Sequence, residues 1–380
     1  MNCKRPTRAG TLNTAVRIFA TADIGAAALD RLNERGYEIE VYPQLESPPK
    51  SLIVDRVSNG IDALITTLRD QIDEEVFAAG AGTLKIVAQI AVGCDNIDRA
   101  AANRYRIPFS NTADVLTEAT AEFALLMLGA LSRKLYPSEN LVRDVMWTSW
   151  HPWNPWLGDE VTGKTVSVIG TGRIGKAFAK KCTALDVDLL LYDPVSRDDR
   201  FVEFVDREMA IRQEAGFSKR RCETRYVTFE EALGRGDYVS LHVPLIMPGE
   251  SASPTYHLMN KITFGRMKRS AYLINSSRGQ VIDEHDLYNA LVSGVIAGAA
   301  LDVYEAEPLP LNSPLRDQQL IDRLRLFHHF ASGTRETRLS PDPEVGMAGR
   351  CVQAVIDVLE GNYGGDPAKM PYVVNKEAFG

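Results

Sequence analysis

Cysteine is scarce. Five occur in 380 residues, at Cys3, Cys94, Cys182, Cys222 and Cys351, and no two form a CxxC pair. An odd, scattered set offers neither a disulfide framework nor zinc-site spacing, so buried thiols in a reducing compartment are expected, and no metal. Long apolar runs are missing too. The longest near the middle, Phe123 to Leu131, is nine residues, whereas a bilayer-spanning helix needs about 20. Positive charge is in deficit: 43 Lys and Arg face 50 Asp and Glu, for a net charge of −7. That balance gives no electrostatic reason to bind a phosphate backbone, so neither nucleic acid nor membrane is an expected partner. There is also no internal repeat and no low-complexity tract.

What is present is an ordinary globular balance, 45% hydrophobic and 24% charged, which excludes whole-chain disorder. The length suits two domains, or one large one. The N-terminus carries Lys4, Arg5, Arg8 and Arg17 with no acid before Asp23. That mimics a transit peptide, but no apolar stretch follows, so no secretory signal is expected. Residues 1 to about 15 read as a loose tail, with an organellar address as the minor alternative to the cytoplasm.

Strands and helices alternate. Strands are read at 16–20, 37–42, 61–66 and 85–90, with helices at 25–35 and around 73–79. This pattern means a parallel sheet covered on both faces, and the first region ends near Asn111. A long helical stretch, Leu116 to Leu135, follows. Next comes an aromatic segment with Trp147, Trp150, Trp153 and Trp156, in which Pro152 and Pro155 break any helix. Alternation resumes with strands at 165–169, 188–192, 238–243, 271–275, 296–303 and 324–327. A last helix, about 343–360, carries Val345, Ala348, Cys351, Val352, Val355 and Leu359 on one stripe and stops at Gly361. Ser196 to Cys222 is long for its place and holds seven Lys/Arg and six Asp/Glu. Phe201, Val202, Val205 and Met209 allow an extra surface helix there; the plainer reading is a solvated charged excursion.

Residues 166–181, VSVIGTGRIGKAFAKK, hold Gly170-x-Gly172-x-x-Gly175, with Arg173 and Ile174 in the last gap. Such a match alone is weak. Here an apolar strand precedes it, an amphipathic helix follows, and a second strand ends in Asp193, 18 residues after Gly175. Glycines permit the tight turn and backbone approach to a pyrophosphate, and the helix N-terminus offers N–H groups to it. Asp193 suits the adenosine ribose and would repel a 2′-phosphate, so NAD is expected over NADP.

Ligands of open α/β sheets lie at the carboxyl ends of strands. Arg278 follows one strand, Glu307 the next, and His328-His329 the next. An Arg that binds a carboxylate and polarises a carbonyl, a His that delivers a proton and an acid that orients it suit hydride transfer to a 2-keto acid. Singly, each has a structural explanation. Together, beside a dinucleotide loop, they are hard to attribute to packing.

The segments GTGRIG, LHVPL, LINSSRGQVID, AALDVYEAEP and HHFASGT, with VGCDNID and TEATAE upstream, resemble the D-isomer-specific 2-hydroxyacid dehydrogenase family. The resemblance runs from about residue 60 to 335 and returns in MAGRCVQAVIDVLEG. It implies an α/β fold of two Rossmann-like domains with parallel sheets and the active site in the interdomain cleft. The substrate-binding domain would be 1–112 with 335–380, and the NAD-binding domain, 113–334, is inserted within it. The implied catalytic set is Arg278, Glu307 and His329, with Val92 and Gly93 as backbone donors to the substrate carboxylate. Along the cofactor it places Thr120, His242, Val243, Pro244, Thr255, Ser276, Asp302 and Ser332, with Asp302 on the nicotinamide carboxamide. The family usually has Pro-His where this chain has His328-His329. His329 matches better because Phe330-Ala331 follows it, and His328 stands as its rival. VLTEATAE and the Trp147–Trp150 segment look most like the glyoxylate and hydroxypyruvate reductase branch. In that branch an arm builds a homodimer and its Trp, here Trp150, reaches the neighbour's site; a plain apolar dimer contact is the alternative. Arg69 would lie where a substrate tail sits. Formate is a poor substrate guess. The expected activity is NAD(H)-dependent interconversion of a small 2-keto acid and its D-2-hydroxy acid. A dinucleotide-sensing corepressor of the same fold, or a dehydrogenase for a bulkier or phosphorylated acid, are the alternatives.

Overall fold

The computed structural model describes residues 15–153 and 157–380. Most of the expected N-terminal tail, and Trp156, therefore lie outside the described residues. The chain divides into two compact units. One joins the residues up to Val115 with Arg335–Gly380, and the other is Leu116–Thr334.

The first unit is built on β1 (Arg17–Ala20), β2 (Glu38–Val41), β3 (Ala63–Thr66), β4 (Ile86–Gln89) and β5 (Phe109–Ser110). They form one parallel sheet in the order β2-β1-β3-β4-β5. β3 and β4 are buried along their whole length, as strands covered on both faces must be. Against one face lie Ala28 and Leu32, with Ala348, Cys351, Val352 and Val355 of the helix Met347–Leu359. That helix starts later than the sequence suggests: Val345 precedes it and is exposed, so it drops out of the expected stripe. Gly361 ends it with φ 68°.

The second unit carries β6 (Thr165–Ile169), β7 (Asp188–Tyr192), β8 (Thr224–Tyr226), β9 (Tyr238–Leu241), β10 (Tyr272–Asn275), β11 (Gly298–Leu301) and β12 (Leu324–Leu326). All are parallel, in the order β12-β11-β10-β9-β6-β7-β8. The strand order reverses between β6 and β9, so the crevice beyond their carboxyl ends is the switch point where ligands of such sheets bind. The expected long helix is two: Thr117–Ser132 and Leu135–Arg143. Lys134 breaks it by taking φ 48°, and Pro137 is tolerated because a first turn does not use its missing N–H. The first of these helices packs Ala121, Ala124 and Leu128 into a cluster with Ala177 and Phe178.

The 196–222 excursion does contain a helix, Asp199–Glu214. Val205 and Met209 are buried and Phe201 and Val202 pack on the same core, while most of its charges face solvent. Asp198 caps it through the Phe201 N–H. Cys182 and Cys351 are buried thiols, and Cys94 and Cys222 are half-buried. No helix among the described residues is long and apolar enough to cross a membrane.

Candidate active site

The glycine loop follows β6 directly. Gly170 adopts φ 92°, and a Cβ there would lie 2.6 Å from the His242 carbonyl oxygen, so both its conformation and its contact demand glycine. A Cβ on Gly175 would come within 2.0 Å of the Gly170 oxygen. Gly172 is different: a Cβ there meets no protein atom within 4 Å, so its bareness keeps space open. It also begins the helix Arg173–Cys182 without a side-chain cap. Arg173 and Ile174 thus occupy the first turn of a helix whose N-cap is a glycine, the kind of helix start at which phosphates bind.

Asp193 lies just past β7. Its Oδ1 accepts the N–H groups of Val195 (2.9 Å) and Ser196 (2.8 Å), and its Oδ2 accepts that of Thr171 (2.9 Å). The Thr171 hydroxyl also lies 3.4 Å from Oδ2, so the carboxylate is held in place at the end of β7. Across the sheet, after β9, His242 pairs through Nε2 with Ser240 Oγ at 2.9 Å. Its Nδ1 is buried without a partner, as is Ser276 Oγ after β10. Burial holds the His242 ring neutral, with its pKa pushed down to about 3. Val243 and Pro244 continue this loop. Thr255 staples it: its hydroxyl donates to the Pro244 oxygen (2.5 Å) and accepts from the Ile246 N–H (2.8 Å). Thr120 is buried in the helix Thr117–Ser132.

Arg278, Glu307 and His329 follow β10, β11 and β12, which are adjacent in the sheet. His329 Nδ1 lies 2.7 Å from Glu307 Oε2. Glu307 Oε1 accepts the Tyr304 N–H at 3.0 Å. Arg278 is half-buried, with Nη1 donating to the Ser277 oxygen at 2.7 Å. His328 instead stacks on Phe330, ring centroids 5.0 Å apart, and is exposed.

His329 takes φ 56°, a conformation that costs energy for a residue with a Cβ and persists only where neighbours enforce it. Asp302 is that neighbour. Its backbone oxygen accepts the His329 N–H (2.8 Å), and its carboxylate accepts those of Phe330 (2.7 Å) and Ala331 (2.8 Å). Burial raises the Asp302 carboxyl above the usual carboxylate range, against the lowering by those two N–H groups. The expected nicotinamide ligand is thus, in this structure, the anchor of the histidine turn. Ser332 lies three residues beyond His329 on the same turn.

In the first unit, the loop after β4 holds Val92 and Gly93. The Val92 oxygen accepts from Asn111 Nδ2 (2.9 Å) and the Gly93 oxygen from Gln89 Nε2 (2.7 Å). Their N–H groups have no acceptor among the described residues, which leaves two donors for an anion. Asn96 braces this loop, accepting from Gln89 Nε2 (2.7 Å) and donating to the Thr67 (3.1 Å) and Asp70 (2.7 Å) oxygens. Arg69 is exposed and donates to the Leu45 oxygen at 2.9 Å. Trp150 is 79% exposed.

Comparison with known proteins agrees with this architecture. The family description "D-isomer specific 2-hydroxyacid dehydrogenase, NAD binding domain" matches residues 125–329. A glyoxylate reductase of Korarchaeum cryptofilum is 39% identical over 322 residues, 85% of this chain and 88% of that one. The chain belongs to the D-isomer-specific 2-hydroxyacid dehydrogenase family. A glyoxylate reductase of Thermofilum pendens is 36% identical over 96% of this chain and 95% of its own. The crystal structure of the TT0316 protein from Thermus thermophilus superposes with a TM-score of 0.78 at 34% identity, covering 94% of this chain and 100% of that one.

The dehydrogenase uses NAD, and the residues present fit it: the bare Gly172 at a helix start, the Asp193 carboxylate fixed at the end of β7, and the orphaned His242 Nδ1 and Ser276 Oγ. No metal-ligand cluster exists among the described residues. Sequence reasoning missed the braces of this 2-hydroxyacid dehydrogenase: Gln89, Asn96, Tyr304, and the anchoring contacts of Asp302. The Gln89 and Tyr304 contacts lie within irregular loops that show no period, and the Asp302 and Asn96 contacts join segments 26 to 29 residues apart. Asp193→Asn, which keeps acceptors but removes the charge, is expected to narrow the NADH-over-NADPH preference in kcat/KM roughly tenfold or more, since juxtaposed like charges cost several kcal/mol. A parent enzyme that favours NADPH would refute this role for Asp193.

Proposed function

We propose that this enzyme is a glyoxylate and hydroxypyruvate reductase that yields the D-hydroxy acid where the product is chiral. The observation that carries the reading is the 2.7 Å Glu307–His329 pair on the strand ends next to Arg278. Arg278 holds the substrate carboxylate with two parallel hydrogen bonds and polarises the carbonyl. His329 gives a proton to the carbonyl oxygen, while Glu307 fixes the ring tautomer and stabilises the imidazolium. The cofactor, when bound, supplies the hydride. Val92 and Gly93 offer N–H groups to a carboxylate, and Asp302 keeps the histidine turn in register. Exposed Trp147, Trp150 and Trp153, at 64%, 79% and 71%, support a homodimer built through this segment, since contiguous exposed aromatics mark interaction surfaces.

The test is NADH oxidation across 2-keto acids of graded size and charge, with Arg278→Lys run alongside. Glyoxylate and hydroxypyruvate should give the highest kcat/KM. Lysine, a point charge without a planar fork, should lose about 10- to 100-fold in kcat/KM, the worth of a charged hydrogen bond, while NADH binding persists. Preference for a bulky or phosphorylated acid, to which Arg69 would contribute, would replace the substrate assignment. Unchanged turnover in Arg278→Lys would remove that residue from the mechanism.

A further inference from the structure

His257 lies outside every role assigned above, yet it touches both loops that carry the chemistry. Its backbone N–H donates to the Gln280 oxygen at 2.9 Å, two residues beyond Arg278. The next contact along, Met259 N–H to the Val281 oxygen at 3.0 Å, extends the same pairing. Its Nε2 lies 2.6 Å from Glu305 Oε1, two residues before Glu307. Its Nδ1 is 3.4 Å from Asp283, and its carbonyl accepts from Asn260 Nδ2 at 2.9 Å. The ring stacks on Tyr256, centroids 4.0 Å apart, and the residue takes φ 48°. The backbone is therefore bent to aim this ring at the acid loop.

That loop is crowded with negative charge. Glu284 Oε1 accepts the Glu305 N–H at 2.8 Å. Burial raises the Glu284 carboxyl, and the charges of Glu305 and Glu307 add to the rise. Asp283 and Glu305 thus face the His257 ring, with Tyr256 stacked on it, while Glu284 holds the Glu305 backbone. A solvent-accessible side-chain pair of ordinary kind contributes little. This one differs in its attachments, since one end is bonded to the arginine loop and the other to the glutamate loop.

We propose that His257 is a positioning residue, a strut whose 2.6 Å contact with Glu305 and backbone bond to Gln280 hold Glu307 in place for His329. The proposal rests on Glu307 and His329 being the acid–base pair. A displaced Glu307 would no longer sit 2.7 Å from the His329 ring, so the pH profile of kcat reports on the strut.

The test compares His257→Ala, His257→Gln and Glu305→Gln with the parent, measuring kcat, KM for NADH and the pH profile of kcat. His257→Ala should lower kcat roughly tenfold, in the range that outer-shell partners contribute. KM for NADH should stay within about twofold and the pH at which kcat falls should shift. His257→Gln retains a donor for Glu305 and should recover most of the loss. His257→Ala combined with Glu305→Gln should cost little more than either alone, as coupled residues do. Parent kcat and pH profile in His257→Ala overturn the proposal, provided His329→Ala and Glu307→Gln are inactive. A kcat loss that follows a loss of thermal stability and is not rescued by glutamine also overturns it. If instead His329→Ala and Glu307→Gln keep parent turnover, the acid–base assignment itself is what has failed.

Discussion

His329→Ala is expected to lower kcat for keto-acid reduction by about 10² to 10⁴-fold, the usual worth of a positioned general acid, with little change in KM for NADH. The geometry sets the size of this effect. Nδ1 is committed to Glu307 at 2.7 Å, so Nε2 is the nitrogen that hands over the proton. The ring is held in a costly φ of 56° by three N–H contacts to Asp302, and such strain is kept where neighbours over-determine it. Reduction consumes a proton. The parent rate should therefore fall as pH rises, while oxidation of the hydroxy acid by NAD should rise. His329→Ala should lose this pH dependence in both directions. His328→Ala is the control: that ring is exposed and stacks on Phe330, so kcat should remain within about twofold. Steady-state NADH oxidation over pH 5 to 9, a window spanning about two units either side of neutrality, decides between them. Loss in His328→Ala with retention in His329→Ala would exchange their roles.

The second large effect should come from one methyl group. Gly279 follows Arg278, and a Cβ on it would lie 1.9 Å from the carbonyl carbon and oxygen of Tyr304. Backbone cannot yield as a side-chain tip can, so one of the two loops must move. Tyr304 is a poor candidate: its hydroxyl donates to the Phe327 oxygen at 2.6 Å, and its N–H holds Glu307. Gly279→Ala should therefore displace Arg278, Glu307 or both. Overpacking of this kind costs about 1–3 kcal/mol, and each kcal/mol is worth about 2–4 °C in a domain of this size, so Tm should fall by roughly 2 to 12 °C. Turnover should fall further than folding alone explains. Gly172→Ala supplies the contrast. Nothing lies within 4 Å of its Cβ, so Tm should hold while KM for NADH rises. Differential scanning calorimetry with steady-state kinetics on both variants is the check, and a Gly279→Ala protein with parent Tm and kcat would refute the close packing of the two loops.

Parts of this fold were readable from residues alone. TVSVI and DLLLY are short apolar runs between polar breaks, and β6 and β7 coincide with them residue for residue. Other strands came out one to four residues shorter than their apolar runs, the most at β11, because pairing stops before hydrophobicity does. β5 and β8 were missed: they are two and three residues long, and Phe109-Ser110 or Thr224-Arg225-Tyr226 is too brief to show a period. The helices Lys50–Ser58 and Arg99–Arg104 went unread too. The first lies next to prolines, and the second buries little besides Ala101 and Ala102, so neither has a strong apolar stripe. The 116–135 stretch read as one helix because nothing in Arg133-Lys134 signals a left-handed residue.

The dinucleotide loop and the Arg, Glu and His at successive strand ends were legible because each depends on local order: a strand, then a turn, then a polar group. The contacts that brace them were not. His257 meets Glu305 across 48 positions of sequence, and Asp302 meets Phe330 across 28. Such pairs exist because β10, β11 and β12 lie side by side, and strand order is a property of packing. Local pattern names the groups able to do chemistry; the folded sheet chooses which backbone and which second side chain will hold each one still.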